Sequence, residues 1–501
     1  MSFLDSKVKK GIMIGVTCLV TVIVILIAAT GIYFHNRWGL HTTLNQIDVS
    51  KMTYAETRKM MAQYTSDYQL EITGRDGGKL QLTREDIEVN IAYGNALDQI
   101  IAIDKKKNVF SKMVPHTYEQ EFPVAFSKEK LIAILKNASI IVGDSSYAIH
   151  KPKNAYVTYN DTKKAGEIVP EELGNQLLLE PTVAVIADAI EHAMQKIDLS
   201  EKTYADQVYK KPKFYSTDDV LQTQLEQFNQ YVLTWITWTS EEGITFSLTP
   251  EEIKDWLHPT KKGKVKLDQT ALKQWIEERC LEYKTQGKTR TFTTHDKRKI
   301  KVAGGDYGWR INYDNTVQQA LKRIQKKKDL TAIEAYLADP SEENQKALTQ
   351  EVKINFSNKG YVWNPDNPMK DWNTQNYSEV DIKNQMVYVY KDGKLAYSSI
   401  CVTGLYSDPE RRTKLGCYFI KEKKEDYVLT GADYETPTKY WVRIMWTGTG
   451  YHYLGRSDWS RWTPQIYLSR GSHGCVNLQL EDAKAIYNLV GYRDPVFIYE
   501  G

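Results

Sequence analysis

The segment RGSHGCVNL, residues 470–478, places a thiol beside an imidazole and a glycine. A thiol attacks acyl groups only as a thiolate, so Cys475 needs a proton acceptor within hydrogen-bond reach and a group that orients the acceptor. His473 would share its face in an extended segment, and antiparallel strand pairing could bring His452 alongside. Gly474 permits a tight turn whose backbone N–H groups face the oxygen of a tetrahedral intermediate. Together these residues are typical of acyl transfer.

Structural roles explain the same residues without any chemistry. A lone cysteine is most often a small buried hydrophobe, and a lone histidine is most often a satisfied structural side chain. Two histidines and one cysteine could also bind zinc, but a fourth ligand is not obvious and closed zinc sites usually contain closely spaced ligand pairs. On the residues alone, catalysis and a structural role are about equally favoured.

The stretch 450–500 resembles the active-site half of an L,D-transpeptidase catalytic domain. The signature of that family is an upstream histidine followed by Ser/Thr-His-Gly-Cys-x-Arg/Asn, and the matching residues here are His452, Ser472, His473, Gly474, Cys475 and Asn477. The resemblance extends over about 377–500 and includes Val-Thr-Gly at 402–404. Lys414 stands where the family usually has the proline of a Thr-Pro-x-Gly turn.

The resemblance implies a role for each matching residue. Cys475 is expected to be the nucleophile, His452 its proton donor and acceptor, and the main-chain carbonyl of Tyr453 the group that orients His452. The residues expected to shape the oxyanion and substrate side are Ser472, His473 and Gly474. We also assign three residues to substrate binding, namely Asn477, Trp446 and Trp459.

The family reaction is acyl transfer on peptidoglycan. Cys475 would attack the carbonyl of the third, diamino-acid residue of a tetrapeptide stem, expel the terminal D-alanine and pass the acyl group to the side-chain amine of another stem, which gives a 3→3 crosslink. No metal or organic cofactor is needed. Two alternatives stay open: an L,D-carboxypeptidase that gives the same acyl-enzyme to water, and a wall-binding anchor with an idle site.

The N-terminus predicts a membrane span. Residues 11–34 carry no charge and are long enough, as a helix, to cross a hydrocarbon core of about 30 Å. A cleaved signal peptide is the alternative, but the run exceeds the usual signal core of roughly 7–15 residues. Lys7, Lys9 and Lys10 precede the span and Arg37 follows it, so residues 1–10 should be a cytoplasmic tail and the rest of the chain should lie on the cell-wall side.

Composition excludes some classes of protein. The 66 basic and 63 acidic residues nearly balance and are scattered, so nucleic acid is not an implied partner. Five cysteines in 501 residues do not make a disulfide scaffold. Cys401 and Cys417 flank the Val-Thr-Gly turn on two runs that we expect to pair; a disulfide between them is possible, although buried free thiols are favoured.

Between the span and the catalytic domain the sequence predicts α+β modules. Residues 44–110 should form a small α+β module, with a helix capped by Ser50 or Thr53 and a hairpin around 76–78. Residues 120–330 should hold further α+β modules, since Pro-Glu-Glu at 170–172 and at 250–252 suggests repeated helix starts. The stretches 47–56, 160–177 and 287–312 resemble the peptidoglycan-binding modules of Gram-positive L,D-transpeptidases, and the similarity covers most of 44–330. A spacer role is equally favoured for them.

The C-terminal part should carry the chemistry. Residues 331–376, rich in Asn, Asp and Pro, indicate a linker and lead-in strand. Residues 377–501 combine short alternating strands, a hairpin around 392–393 and one clear helix at 480–490. The expected fold is therefore multidomain: an N-terminal transmembrane helix, α+β modules, and a mostly-β, sandwich-like catalytic domain with one helix.

Overall fold

The computed structural model describes residues 6–120, 122–430 and 435–501, which form two compact units. Unit 1 contains the residues up to 156 together with 169–218, and unit 2 contains 157–168 together with 219–501.

Up to residue 218 short helices alternate with short strands. The helices are α1 (Ser6–Phe34), α2 (Tyr54–Ser66), α3 (Arg84–Ile87), α4 (Gly94–Lys105), α5 (Lys128–Asn137), α6 (Ser139–Val142), α7 (Leu179–Glu191) and α8 (Lys202–Val208). The strands are β1 (Thr42–Leu44), β2 (Ile47–Asp48), β3 (Gln69–Thr73), β4 (Lys79–Thr83), β5 (Asn90–Ile91), β6 (His116–Tyr118), β7 (Val124–Ala125), β8 (Tyr156–Asn160), β9 (Ala165–Val169) and β10 (Lys196–Asp198).

After residue 218 the chain becomes richer in strands. The helices are α9 (Asp219–Val232), α10 (Pro250–Ile253), α11 (Gln269–Glu282), α12 (Tyr313–Ile324), α13 (Leu330–Ala338), α14 (Glu342–Leu348), α15 (Tyr467–Arg470) and α16 (Leu480–Leu489). The strands up to the start of the C-terminal domain are β11 (Trp235–Thr239), β12 (Thr245–Leu248), β13 (Leu257–Pro259), β14 (Val265–Leu267), β15 (Arg290–Thr293), β16 (Lys299–Val302), β17 (Arg310–Ile311), β18 (Thr349–Lys353) and β19 (Phe356–Asn358). Those of the C-terminal domain are β20 (Tyr377–Asp381), β21 (Met386–Lys391), β22 (Lys394–Ile400), β23 (Gly416–Phe419), β24 (Glu422–Thr430), β25 (Glu435–Arg443), β26 (Gly450–Tyr453), β27 (Val476–Leu478) and β28 (Pro495–Tyr499).

Among the described residues, α1 is the helix long and apolar enough to cross a membrane by length and composition. Its side chains are exposed along nearly all its length, and Phe34 at its end is buried. A buried helix of a soluble core would instead hide its apolar side chains.

One structural plan occurs in both units. In unit 1 the antiparallel hairpin β3–β4 gains a third strand, β10, parallel to β3; in unit 2 the hairpin β11–β12 gains β18, parallel to β11. A short helix follows each hairpin, and its first turn is closed by a capping box, at Thr83 for α3 and at Thr249 for α10. The hairpin predicted around 76–78 is confirmed, and Thr53 caps α2.

Two sequence interpretations differ from the structure. Pro-Glu-Glu at 170–172 does not begin a helix, because Glu172 pairs with Lys153 in an extended bridge and α7 starts only at Leu179. Residues 331–376 are not simply a linker and lead-in strand, since they contain α13, α14, β18 and β19. The parallel partner of β18, β11, lies more than a hundred residues earlier, so local composition could not reveal the pairing.

Residues 377–501 fold as two β-sheets with one well-formed helix, as the sequence predicted. The strand orders are β22-β21-β20-β28-β23 and β24-β25-β26-β27, and α16 packs against β25 and β26. The shared core takes fully buried side chains from both sheets and from α16, namely Val380, Val387, Val496, Ile498, Val442, Tyr451, Val476, Leu478 and Ile486. Sheet-on-sheet packing around one such core makes this part a β-sandwich.

A second core joins the five-stranded sheet to the segment 285–307. The Phe292 ring stacks on Phe497 with 3.9 Å between centroids. The Tyr307 N–H donates to the Cys417 carbonyl (3.0 Å), and the Cys417 N–H donates to the Gly304 carbonyl (3.1 Å). Cys417 therefore lies on β23 at one edge of the sheet, whereas Cys401 follows β22 at the other, so the expectation that their two runs pair is wrong; both are buried free thiols.

A buried ion pair lies in the same part of unit 2. Arg290 donates from Nε to Asp371 Oδ1 (2.8 Å) and from Nη2 to Oδ2 (2.9 Å), and both side chains are fully buried. Thr285 also donates its hydroxyl proton to Asp371. Since a buried charge without its partner is strongly unfavourable, this pair ties the upstream segment to the approach to β20.

We predict that Arg290→Met lowers the free energy of unfolding of unit 2 by about 3–5 kcal/mol, because it leaves the Asp371 carboxylate buried without a counter-charge. The double variant Arg290→Met/Asp371→Leu should recover much of that loss. The matched control is Arg298→Met, in the exposed Arg298–Asp296 pair, which should change stability by less than about 1 kcal/mol. Urea unfolding of the full chain measures all three; equal losses at positions 290 and 298 would contradict the prediction.

Candidate active site

The site is built on the pairing of β26 with β27. The two strands are parallel, with Tyr451 opposite Val476 and His452 opposite Asn477. Because successive side chains alternate between faces, Cys475, two residues before Asn477, lies on the same face as His452. The antiparallel pairing expected from the sequence is wrong: the chain between the two strands crosses over through a 3₁₀ turn at Trp459–Arg461 and through α15, as parallel strands require.

His452 is held by its own backbone neighbour. The imidazole is 2 % exposed, and its Nδ1 lies 2.9 Å from the Tyr453 carbonyl oxygen. A carbonyl only accepts hydrogen bonds, so Nδ1 carries the proton and the lone pair of neutral His452 is on Nε2. Burial lowers the pKa of His452 to about 4, although the bond to Tyr453 opposes the shift. The ring is therefore neutral at physiological pH, in the tautomer that can accept a proton.

Cys475 is partly buried, and its thiol donates to the Gly448 carbonyl at 3.3 Å. Burial raises the pKa of the Cys475 thiol to about 11, against the opposing effects of the Gly450 backbone and the Arg443 charge. Since burial also lowers the pKa of His452 to about 4, the thiolate–imidazolium pair is strongly disfavoured relative to the neutral pair. The resting site thus holds a thiol and a neutral imidazole.

Residues 472–475 form a tight turn closed by a serine. The Ser472 hydroxyl donates to the Cys475 carbonyl (2.6 Å) and accepts from the Gly474 N–H (3.1 Å). Gly474 has φ +117°, a backbone conformation that side chains disfavour. His473, between them, is exposed. The turn is therefore fixed from within while His473 faces outward.

A second layer supports this turn from behind. The Thr413 hydroxyl donates to the Gly474 carbonyl (2.8 Å) and accepts from the Gly404 N–H (2.8 Å). Arg411 donates to the Gly471 carbonyl (3.1 Å). Lys414, in the place of the family's proline, donates to the carbonyl of Pro409 (2.7 Å). We did not single out Thr413 or Arg411 from the sequence, because nothing local indicates that they contact residues some sixty positions later.

The Val-Thr-Gly segment completes the pairing of β27. The Val402 N–H donates to the Asn477 carbonyl (3.0 Å), and the Asn477 N–H donates to the Val402 carbonyl (2.9 Å). With β26 on one edge and Val402 on the other, the backbone after Cys475 is bonded on both sides. Asn477 itself is buried, at 1 % exposure.

The two tryptophans assigned to substrate binding lie in different surroundings. Trp446 is 68 % exposed, on the turn whose Gly448 carbonyl accepts the thiol proton, and the Arg443 guanidinium carbon lies 5.9 Å from the centre of its ring. Trp459 is partly buried and donates from Nε1 to the Leu454 carbonyl (3.2 Å) in the loop after β26. Trp446 thus stands at the rim of the site, and Trp459 braces the crossover.

Comparison with known proteins identifies the domain. Residues 375–498 match the family described as YkuD, L,D-transpeptidase catalytic domain, and residues 239–332 match the family described as "Putative peptidoglycan binding domain". The chain therefore carries a YkuD-type L,D-transpeptidase catalytic domain with a peptidoglycan-binding domain upstream of it. Among the described residues, no group of three or more His, Cys, Asp or Glu side chains is placed to hold a metal ion.

Individual relatives match parts of the chain. "Probable L,D-transpeptidase 3" of Mycobacterium tuberculosis is 30% identical over 102 residues, which cover 18% of this chain and 36% of that protein. An uncharacterized protein of Methanocaldococcus jannaschii is 26% identical over 136 residues, covering 27% of this chain and 46% of that protein. The chain thus spans less than half the length of either curated relative.

Solved L,D-transpeptidase structures also resemble the chain. The crystal structure of an Enterococcus faecium L,D-transpeptidase mutant has 25% identity and a TM-score of 0.37, and covers 56% of this chain and 100% of that chain. The NMR structure of the catalytic domain of an E. faecium L,D-transpeptidase has 35% identity and a TM-score of 0.22, and covers 25% of this chain and 98% of that chain.

The neutral resting pair predicts the pH dependence of thiol alkylation. The rate at which iodoacetamide modifies Cys475 should rise about tenfold per pH unit from pH 7 toward pH 10, because the thiolate fraction grows until the pH reaches the thiol pKa of about 11. Peptide mass analysis of the full chain measures this rate. Cys18→Ala removes the exposed thiol in α1, and the three remaining cysteines are buried.

His452→Ala is the informative control for this profile. If the pair is neutral, the variant should keep the same steep rise, since the histidine does not hold a thiolate in the resting site. A rate that is already constant below pH 7 in the native protein, and that loses this plateau in His452→Ala, would mean that the resting site is a thiolate–imidazolium pair.

Proposed function

We propose that this protein is a membrane-anchored peptidoglycan L,D-transpeptidase that forms 3→3 crosslinks through a thioester on Cys475. The observation that carries the proposal is the parallel register of β26 and β27, which puts Cys475 and the oriented, neutral His452 on one face. It occurs inside a domain that matches the L,D-transpeptidase catalytic family.

The first half-reaction is acylation of the thiol. A tetrapeptide stem places the carbonyl of its third residue against the Cys475 sulfur, the S–C bond forms, and the thiol proton passes to His452 Nε2. Because the free ion pair is so unfavourable, proton transfer accompanies bond formation instead of preceding it. When the tetrahedral intermediate collapses, the C–N bond to the terminal D-alanine breaks and His452 returns the proton to the leaving amine.

The developing oxyanion is bound at the turn 472–475. Ser472 and Thr413 hold this turn rigid, so the backbone N–H groups of the turn other than that of Gly474, which donates to Ser472, are oriented before the substrate arrives. His473 is exposed on the same turn, and we assign it to the substrate side. Trp446 at the rim offers an apolar surface to the stem, Trp459 braces the crossover between β26 and β27, and the buried Asn477 supports the backbone after Cys475.

The second half-reaction transfers the acyl group. The side-chain amine of a diamino acid on another stem attacks the thioester carbon, His452 takes one amine proton and the Cys475 sulfur leaves as the thiol. Water in place of the amine would give a tripeptide, the outcome of an L,D-carboxypeptidase. No step requires a metal or an organic cofactor, because the nucleophile and the proton carrier both belong to the chain.

The location of the enzyme follows from α1. We propose that α1 spans the cell membrane once, with the N-terminus in the cytoplasm and the catalytic domain on the cell-wall side. A retained anchor is favoured over a cleaved signal peptide because the end of α1 is built into unit 1: Phe34 is buried, its carbonyl accepts a hydrogen bond from Lys112 (2.9 Å), and Trp38 has no exposed surface. The domain at 239–332 would hold the enzyme against its polymeric substrate.

The test uses the full chain in nanodiscs, with disaccharide-tetrapeptide as substrate and mass analysis of products. Native protein should give a crosslinked dimer that lacks one D-alanine. Cys475→Ala should give none, and His452→Ala should be slower by about 10²–10⁴, the usual range for general acid–base catalysis. The matched controls are Cys18→Ala and His258→Ala, both at exposed positions, and they should retain the native rate.

Each alternative has its own signature in that experiment. If the products contain tripeptide but no crosslinked dimer, the protein acts as an L,D-carboxypeptidase. Native turnover in Cys475→Ala, or no product from the native protein, would refute the proposed chemistry.

A further inference from the structure

The junction between α1 and the first module contains a buried lysine. Lys112 donates from Nζ to the carbonyls of Phe34 (2.9 Å) and Arg37 (2.7 Å) and to the hydroxyl of Tyr54 (2.7 Å), and it lies 3.1 Å from a carboxylate oxygen of Asp104. A cation that bonds the last carbonyls of a helix also interacts favourably with the helix dipole. The end of α1 is thus fixed to the module, without a flexible connection.

This junction fixes the distance of residues 110–114 from the end of α1. Lys112 belongs to the 3₁₀ turn Ser111–Met113, and the Leu40 N–H also donates to its carbonyl (2.7 Å). Phe110, Met113 and Val114 are one or two residues from Lys112, hence within about 8 Å of it along the backbone. The headgroup layer of a bilayer is about 5–7 Å thick on each side. If α1 spans the bilayer, these three residues lie close to the outer headgroups.

The same segment exposes apolar side chains. Ile103 is 56 % exposed, Phe110 63 %, Met113 47 % and Val114 51 %. Soluble surfaces seldom group large apolar residues in this way unless something covers them. Phenylalanine, methionine and valine are the kinds of residue that enter the boundary between headgroups and acyl chains.

Lysines lie between these apolar residues in the sequence. Lys105, Lys106 and Lys107 are consecutive, and the first and third lie over the rings of Tyr54 and Tyr118. Lys105 and Lys106 are exposed, whereas Lys107 and Lys112 lie 3.9 and 3.1 Å from the buried carboxylate of Asp104. A positive surface beside exposed apolar residues is complementary to a leaflet that contains anionic lipids.

We propose that residues 103–114 form a membrane-docking surface, in which Phe110, Met113 and Val114 enter the outer leaflet and Lys105–Lys107 bind anionic lipid headgroups. This inference rests on the proposed membrane span of α1. The surface gives the module a second attachment to the bilayer that α1 crosses, and two attachments restrain the tilt of the module where a single helix would leave it free to rock.

The experiment places an environment-sensitive fluorescent amino acid at one position of the full chain, in nanodiscs of phosphatidylcholine and phosphatidylglycerol that contain brominated lipids. Three positions are compared: Phe110 in the docking surface, Val20 in the middle of α1, and Leu173, an apolar residue of unit 1 that is 46 % exposed. We expect shallow bromines to quench position 110, deep bromines to quench position 20, and neither to quench position 173.

The outcomes distinguish the proposed docking surface from the proposed membrane span of α1. Quenching at 20 without quenching at 110 overturns the docking surface and leaves the span intact, whereas loss of quenching at 20 refutes the span itself. Equal quenching at 110 and 173 means general adsorption and overturns the docking surface. Quenching at position 110 that changes with the number of protein copies per disc also overturns the docking surface, because it means that another copy of the protein covers the segment.

A charge variant tests the lysines separately. Lys105→Gln/Lys106→Gln/Lys107→Gln should lose most of the shallow quenching at position 110 in phosphatidylglycerol discs, since each lysine near an anionic surface contributes favourably. The matched control, Lys128→Gln/Lys136→Gln/Lys151→Gln, changes three exposed lysines of unit 1 and should retain the quenching. Equal effects of the two triple variants would overturn the proposed role of the lysines.

Discussion

The parallel register of β26 and β27 is the constraint on which the site depends. Tyr451 and Val476 face each other and lie in the core shared by the two sheets, so the alternate residues His452, Asn477 and Cys475 face the other way. A slip of one residue would exchange the two sets, placing the imidazole in the apolar core and the tyrosine in the site. The apolar core therefore specifies the positions of Cys475 and His452, and the bonds from Val402 to the outer edge of β27 fix them further.

Burial then determines the electrostatics. Removing Cys475 and His452 from water disfavours the charged form of each, which raises one pKa and lowers the other. The Cys475 thiol is consequently a neutral group in the resting site. The bond from His452 to the Tyr453 carbonyl decides which nitrogen receives the proton. In this way burial and one backbone hydrogen bond set the protonation state of both side chains and the tautomer of His452.

The sequence predicted what depends on local patterns. The Asp-Gly hairpin at 392–393, a helix cap at Ser50 or Thr53 and the helix α16 follow from residues within a few positions of one another. The structure has the hairpin and the helix, and it has the cap at Thr53. The Ser-His-Gly-Cys motif likewise located the candidate nucleophile because its residues are adjacent. Contacts between distant segments could not be predicted from local sequence. Nothing in the residues around Phe292 shows that its ring stacks on Phe497, about two hundred positions later. The support of Gly474 by Thr413 is hidden for the same reason.

The central claim is that the acyl group is carried by Cys475, and mapping of the trapped intermediate tests it most directly. The full chain is mixed with disaccharide-tetrapeptide, quenched in acid within the first turnover, digested and analysed by mass. The account predicts a single adduct on the peptide that contains Cys475, with the mass of the donor less D-alanine, and its release by hydroxylamine as expected of a thioester. An adduct on any other residue, or crosslinked product without an adduct on Cys475 at any time, would contradict it.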